Sequence, residues 1–183
     1  ERIVPIGAVS ESECRGLLGS FARSIGDEGQ VIEALQRADT QSEPLDPVQR
    51  IPFSSSRKYS ALRWESGPWY TLGAAERVLT IAHAEWETTD RLVKANGIDE
   101  MRTLVFARSG ENGHDVVGAT MEPLCLISLD DEIRPESAAT LQLFDEMGIR
   151  TMILTGDAPG PVRSLLRRLG LEHSDIDVRS RLS

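Results

Sequence analysis

Hydrophobic residues near the start of the chain recur with the spacing of an α-helix. They lie on one helical face between Ser10 and Ile25, and Ser10 followed by Glu13 has the form of a capping box. Residues 30–38 repeat this spacing, and a polar, proline-containing stretch then extends to Gln49. The pattern therefore predicts two helices followed by a loop.

Strand-like patterns come next. Three short runs, rich in aromatic and apolar residues and separated by serine or Gly-Pro turns, predict an antiparallel meander. They cover residues 50–53, 59–64 and 69–72. Residues 73–84 and 85–95 are predicted to be helical, and further strands are predicted at 102–108 and from Val116 onward.

The pattern changes again near Leu124. Two continuous apolar runs, Leu124–Leu129 and Arg150–Leu154, alternate with two helical segments that end at Gly148 and Gly170. Continuous apolar strands joined by helices are typical of a parallel sheet that is buried on both faces. We therefore predict an α+β fold: an antiparallel sheet flanked by helices in residues 1–123, then an incomplete parallel βαβα fragment in residues 124–183.

Composition narrows the choice of partners. The 183 residues carry a formal net charge of −9, which argues against nucleic acid as a partner because nucleic acids are bound through basic patches. No apolar run approaches the roughly 20 residues needed to cross a bilayer. The two cysteines, Cys14 and Cys125, form no metal-binding spacing, and a reduced, intracellular setting is expected. Because the chain begins with Glu1, we expect it to be a piece of a longer protein.

Several short motifs could bind a nucleotide. Phe53 at a strand end could stack on a base, and the neighbouring Lys58 could neutralise phosphates, although a core phenylalanine beside solvated cations is the more frequent case. Gly73 and Ala74 would allow a flat ligand to approach the backbone, or would simply begin a helix. Thr155-Gly156-Asp157 follows an apolar strand and precedes a helix, where parallel sheets bind ligands and where an aspartate can hold Mg²⁺.

Taken together and in order, five segments resemble the cytoplasmic part of cation-transporting P-type ATPases. They are Arg50–Ser60, Tyr70–Glu76, Arg102–Ala107, Leu129–Arg134 and Gly148–Asp157. The resemblance covers the nucleotide-binding domain and part of the haloacid-dehalogenase-like phosphorylation domain. The serine-rich first segment is similar to bacterial pumps of the calcium/magnesium-like kind.

The resemblance implies a role for each matching residue. Phe53 would stack on adenine, Lys58 would contact the phosphate chain, and Arg102 would contact ribose or phosphates. Gly73 and Ala74 would lie beside the adenine. Thr155, Gly156 and Asp157 would form an accessory loop that sets the γ-phosphate and Mg²⁺ of ATP against the phosphorylated aspartate. Asp131 and Arg134 would lie at the hinge between the two domains.

Two departures from the family pattern concern base recognition. Leu72 replaces the lysine that precedes Gly-Ala in many members, and residues 27–35 contain no clear counterpart of the acidic residue that reads the adenine amino group. We therefore predict weak ATP affinity or loose base selectivity.

The sequence lacks the family's D-K-T-G-T nucleophile segment, its downstream lysine and its G-D-G-x-N-D site. Phosphoryl transfer needs these groups together with the nucleotide, so no turnover is expected from this chain alone. The implied partners are the rest of the pump: the missing phosphorylation-domain halves, the actuator domain and the membrane domain. Without them, strands 124–129 and 150–154 should have unpaired apolar edges, and we expect this part to be poorly ordered or covered by a second copy of the chain.

The parent protein would hydrolyse ATP to move cations, with this soluble segment at the cytoplasmic face of the cell membrane. Two alternatives remain open: a free-standing haloacid-dehalogenase-like phosphatase, and a non-catalytic nucleotide-binding module. The phosphatase would need a D-x-D nucleophile at a strand end, and the only D-x-D, at Asp175–Asp177, is not preceded by an apolar strand.

Overall fold

The computed structural model describes residues 2–65, 67–75, 77–78, 102–110, 116, 121–129, 135–155, 159–171 and 176–180. The chain divides into two compact units, of which the first contains residues 1–96 and 103–129 and the second contains residues 97–102 and 130–183. The predicted boundary between residues 123 and 124 instead falls inside a strand, Met121–Leu129.

The first unit includes a six-stranded sheet and, before its second strand, two helices. The helices are α1 (Glu11–Ser24) and α2 (Gln30–Ala38). The strands are β1 (Arg2–Pro5), β2 (Gln49–Ile51), β3 (Tyr59–Arg63), β4 (Trp69–Ala74), β5 (Arg102–Ser109) and β6 (Met121–Leu129), and their order in the sheet is β1-β6-β5-β4-β3-β2. The predicted meander is confirmed, because β2, β3, β4 and β5 pair successively in antiparallel fashion.

Helices α1 and α2 pack on one face of this sheet because each has an apolar side. Helix α1 begins at Ser10, whose side chain accepts a hydrogen bond from the Glu13 amide at 3.2 Å, as the capping box predicts. Phe21 of α1 is fully buried, and its ring lies edge-on to that of Phe106 in β5, with centroids 5.4 Å apart. Leu18 and Leu35 join the same core.

One prediction for this sheet is wrong. The apolar run Leu124–Leu129 is not a parallel strand of a second domain; it belongs to β6, which lies between β1 and β5 and pairs antiparallel with β1. Leu124, Cys125, Leu126 and Ile127 are all fully buried, so both faces of the strand are covered. The unbroken apolar pattern reports burial on both faces, and it carries no information about strand direction. Both edges of β6 are paired, one with β1 and one with β5, whereas unpaired edges were expected for residues 124–129.

The described residues of the second unit form two helices and a two-stranded parallel sheet. The elements are α3 (Pro135–Glu146), β7 (Met152–Thr155), α4 (Pro159–Arg168) and β8 (Asp177–Ser180), with β7 paired parallel to β8. Both helices end as predicted at glycines with positive φ, Gly148 at 65° and Gly170 at 72°. In each case the residue after the glycine donates its amide to a carbonyl one turn back, as in a Schellman motif. The α+β class is thus confirmed. The predicted parallel partner of residues 150–154, the run Leu124–Leu129, lies in the other sheet, and β7 pairs instead with β8, which was not predicted.

Candidate functional site

The predicted nucleotide contacts of the first unit lie together where β2 ends and β3 begins. These strand ends form one edge of the antiparallel sheet, and 'edge' has this meaning below. Strand β2 ends at Ile51, which pairs with Ala61, so Phe53 follows at the edge where β3 begins. At the same edge Tyr59 pairs with Gly73, and Ala74 pairs with Leu104 of β5. The fold therefore brings together the segments of Phe53, Lys58, Gly73 and Ala74, and β5 starts nearby with Arg102, of which the structure describes only the backbone.

Phe53 is exposed at this edge. Its side chain retains 55% of its accessible surface, which is unusual for a phenylalanine and rules out the alternative of a core residue. Its amide donates a hydrogen bond to Oδ2 of Asp27 at 3.0 Å, and the preceding carbonyl, that of Pro52, accepts one from Nη2 of Arg57 at 2.6 Å. An aromatic face presented in this way is accessible to a flat ligand.

Lys58 closes the turn that joins β2 to β3. Its backbone has φ of 61°, a left-handed conformation that costs a non-glycine residue of the order of 1 kcal/mol. Two hydrogen bonds hold it there: the Lys58 amide donates to the Ser54 carbonyl at 2.7 Å, and the Lys58 carbonyl accepts from the Ala74 amide at 3.0 Å. The second bond ties Lys58 directly to the end of β4.

Gly73 is required by strand packing. A Cβ at this position would lie 2.5 Å from the Lys58 carbonyl oxygen and 2.5 Å from Cβ of Tyr59, closer than real side-chain contacts. Gly73 and Ala74 belong to strand β4, so the prediction that a helix begins at Gly73 is wrong for these two residues. The side of Gly73 that lacks a Cβ faces Lys58 and Tyr59, and glycine at this position lets the Lys58 turn close.

Leu72, in place of the family's lysine, faces the opposite way. It is 3% exposed and belongs to the core beneath helices α1 and α2. Successive side chains of β4 point to opposite faces of the sheet, and that of Leu72 points into the core and away from the exposed edge. Leu72 is therefore not available to contact a ligand at this edge.

The predicted phosphate loop belongs to the second unit. Thr155 is the last residue of β7 and pairs with Ser180. Gly156 and Asp157 lie outside the described residues, as do Asp131, Arg134 and the helix predicted at 85–95.

Asp27 is the residue of this edge that sequence reasoning missed. It lies in the loop between α1 and α2, after Gly26, which has φ of 75°. The sequence gives no signal for it, because the partner of its carboxylate is a backbone amide 26 positions away.

The remaining polar features of the described residues offer no competing chemistry. None of their His, Cys, Asp and Glu side chains forms a group of three or more that could hold a metal ion. Cys14 and Cys125 are buried free thiols, and burial raises the pKa of both, which keeps them protonated. A surface groove of about 780 Å³ is lined by side chains of both charges, including Arg23, Arg37, Glu33 and Glu43. Its described lining includes none of the predicted nucleotide contacts. No described helix has the length and apolar character that a bilayer crossing needs.

Comparison with known proteins defines the family. The model of the haloacid dehalogenase-like hydrolases matches residues 27–181, and the chain belongs to this family. Among curated proteins, the calcium-transporting ATPase CtpE of Mycobacterium bovis is 25% identical over 175 residues, covering 95% of this chain and 22% of that protein. The predicted resemblance to cation-transporting P-type ATPases is thereby confirmed.

Solved structures agree on the fold. A zinc-transporting PIB-type ATPase in its E2.Pi state matches with a TM-score of 0.61 at 17% identity, over all of this chain and 26% of that one. The N-domain of HMA8, a copper-transporting P-type ATPase, matches with a TM-score of 0.50 at 11% identity, over 71% of this chain and 98% of that one. The chain spans about a fifth to a quarter of the transport ATPases that it matches over nearly its whole length.

Proposed function

We propose that this chain is the ATP-binding segment of a P-type cation-transporting ATPase. It presents ATP for phosphoryl transfer to an aspartate that lies outside the chain. The observation that carries the proposal is the exposed Phe53 ring at the same sheet edge as the Lys58 turn. A base stacked on the ring would direct its phosphates along this edge, where cations neutralise them.

Each predicted residue has a part in this proposal. Phe53 stacks on the adenine, and Lys58 and Arg102 contact the phosphates or ribose. Gly73 and Ala74 contribute by holding the Lys58 turn, through close packing and through the hydrogen bond from the Ala74 amide. Thr155, Gly156 and Asp157 form the accessory loop toward the γ-phosphate and its Mg²⁺, which carboxylate oxygens suit.

The proposed partners are the remaining domains of the pump. Relatives four to five times longer than this chain support a parent protein with further domains, including those that cross the membrane. In the parent, this segment would lie at the cytoplasmic face of the membrane, and ATP hydrolysis would drive cation transport. The isolated chain would bind ATP without turnover. It would also self-associate through the second unit, where Met152 and Leu154 are 48% and 76% exposed.

One structural observation argues against a free-standing phosphatase. Such an enzyme needs its aspartate nucleophile at the carboxyl end of a strand, where the ligand binds. Asp177, the second aspartate of the only D-x-D sequence, is instead the first residue of β8, so the motif leads into this strand and does not follow it. A curated relative that matches 95% of this chain is a transport ATPase, which also favours the pump.

A titration with ATP, followed by amide chemical shifts, tests the proposal. We expect Phe53→Ala to weaken ATP binding about tenfold, since stacking contributes about 1 to 3 kcal/mol per base. Phe53→Leu is the matched control, because leucine keeps apolar bulk but loses the aromatic face. Lys58→Ala should weaken ATP binding with a reduced dependence on salt, whereas Lys58→Arg should retain it.

Base selectivity gives a second readout. We expect ATP and GTP to bind within a few-fold of each other, because stacking is tolerant of base identity and Leu72 is buried. Tight, strongly ATP-selective binding would contradict this expectation. Binding that is unchanged in Phe53→Ala would refute the proposed site, and phosphate release lost in that variant would refute the absence of turnover.

A further inference from the structure

The peptide group that joins Pro52 to Phe53 is held at both of its polar atoms. Its N–H donates to the Asp27 carboxylate at 3.0 Å, and its C=O accepts from the Arg57 guanidinium at 2.6 Å. Both hydrogen bonds have a charged partner, and charge-assisted hydrogen bonds are stronger than neutral ones. A single peptide plane is thus fixed between an anion and a cation, an arrangement that we call the Pro52–Phe53 clamp.

The two charged residues come from separate, well-anchored segments. Asp27 follows α1, whose last turn is fixed to the β2 region: Nε of Arg50 donates to the Ser24 carbonyl at 2.8 Å, and the Leu45 amide donates to the Ser24 hydroxyl at 2.9 Å. Arg57 lies in the turn before β3, where its own amide donates to Oγ of Ser54 at 3.2 Å. Neither end of the clamp depends on the Phe53 side chain.

The clamp matters because packing does not hold the Phe53 ring. An aromatic side chain that is 55% exposed receives little orientation from neighbouring atoms, so the backbone is what sets the direction of its Cα–Cβ bond and the rotamers open to the ring. Proline fixes φ at position 52, and the clamp fixes the next peptide plane. An exposed ring that is oriented before the ligand arrives loses less conformational freedom on binding.

We propose that Asp27 and Arg57 are positioning residues for base stacking, acting through the Pro52–Phe53 peptide and without touching the nucleotide. This inference rests on the proposed nucleotide-binding function. It couples the loop between α1 and α2, a region with no predicted role, to the ring that receives the base.

Adenosine is the probe that tests the clamp, because it has the base without the phosphates. Asp27→Ala should weaken adenosine and ATP binding by the same factor, about three- to tenfold, as expected for loss of one charge-assisted hydrogen bond. Asp27→Asn keeps an acceptor oxygen and should stay within about twofold of the parent chain. Glu28→Ala is the matched control, since it removes the same charge from the next, exposed residue. Lys58→Ala should weaken ATP and leave adenosine unchanged.

A double-variant cycle separates positioning from direct contact. If Asp27 acts through the ring, Asp27→Ala should have no further effect in a Phe53→Ala background. Additive losses would overturn the inference, as would equal losses in Asp27→Asn and Asp27→Ala. Amide hydrogen exchange is measured in the unmodified chain, so its result does not depend on whether a variant folds. The Phe53 amide should exchange more slowly than that of exposed Ser55, and equal rates would also overturn the clamp.

The inference and the proposed function fail in different ways. Unchanged adenosine binding in Asp27→Ala, together with weakened binding in Phe53→Ala, would refute the clamp alone. Unchanged binding in Phe53→Ala would refute the nucleotide site itself, whatever the outcome for Asp27.

Discussion

The two units of the chain differ in how they bury apolar residues. In the first, Phe21, Phe106 and Leu126 have no accessible surface, and the sheet packs against two helices. In the second, Met147 is 64% exposed and Leu154 is 76% exposed. Both units have strands with continuous apolar runs, so the pattern alone does not distinguish a completed core from an incomplete one.

The difference follows from the sheets. Six strands with a helical layer form a core of their own, whereas a two-stranded parallel sheet has too little area to bury both faces of a strand. Parallel sheets are stable when both faces are covered, whereas the face of β7 that carries Met152 and Leu154 is largely exposed. The second unit is therefore expected to depend on further polypeptide, and the first is not.

The largest effect on stability is expected from a phenylalanine-to-alanine substitution, which should differ between the two units. Phe106→Ala should destabilise the first unit by about 3 to 5 kcal/mol, because it empties the space between Phe21 and Tyr70, whose centroids lie 5.4 and 5.8 Å from that of Phe106. Phe144→Ala, at a half-buried position of the largely exposed helix α3, should cost about 1 kcal/mol or less. Urea unfolding followed by amide exchange in each unit measures both, and equal costs would erase the contrast.

The next effect tests how tightly the first unit is packed. A Cβ at Gly19 of α1 would overlap the Asp39 carboxylate, whereas one at Gly16 would meet nothing within 4 Å. Gly19→Ala should therefore destabilise by about 1 to 3 kcal/mol despite alanine's higher helix propensity. Gly16→Ala should stabilise by about 0.5 to 1 kcal/mol. Thermal melts of the pair check this, and stabilisation by both substitutions would contradict it.

A smaller effect concerns pH. The Ser42 hydroxyl, the backbone amides of Gln41 and Ser42, and the charge of Arg23 lower the pKa of the Asp39 carboxyl, and this outweighs its burial. Since the folded-state pKa lies below the unfolded value near 3.9, the stabilisation is complete above that pH and is lost as pH falls through the folded value. Stability of the first unit should thus decline in acid.

Asp39→Asn should remove this part of the acid dependence and cost about 1 to 2 kcal/mol at neutral pH. Urea midpoints measured from neutral pH down to pH 2 check the prediction. An unchanged pH profile in the variant would show that other carboxyls are responsible.

The smallest effect on stability is expected in the second unit. Leu154→Ser should change the free energy of unfolding by no more than about 0.5 kcal/mol, because the side chain is already mostly exposed. It should nevertheless reduce the proposed self-association, since exposed apolar patches drive it. Sedimentation velocity over a range of concentrations measures this. A monomeric parent chain would show that this face does not mediate association.

Much of the local structure was predictable from the sequence. Helix α2 has the predicted bounds, Gln30–Ala38, and the Ser10 cap is confirmed. Glycines 148 and 170 end their helices because they adopt the left-handed conformation. These features depend on residues within a few positions of one another, and they can be recognised in a short window.

Features that depend on distant residues were not predictable. Strand β1 was not predicted because the strand that it pairs with, β6, lies far away in the sequence: Pro5 pairs with Cys125. The predicted direction of β6 was wrong for the same reason. Asp27 could not be assigned a partner, and the close packing of Gly73 against Lys58 and Tyr59 was not predicted.

The sequence by itself determined helices α1 and α2, the strands of the meander, the glycines that end two later helices, and that the chain resembles part of a transport ATPase. Only the tertiary structure decided that β6 completes the first sheet, that the Phe53 ring faces solvent, and that Asp27 and Arg57 hold its peptide. The physical reason is the range of the interactions. Helix caps and turns arise from neighbouring backbone groups, whereas strand order and side-chain exposure depend on which distant segments exclude water together.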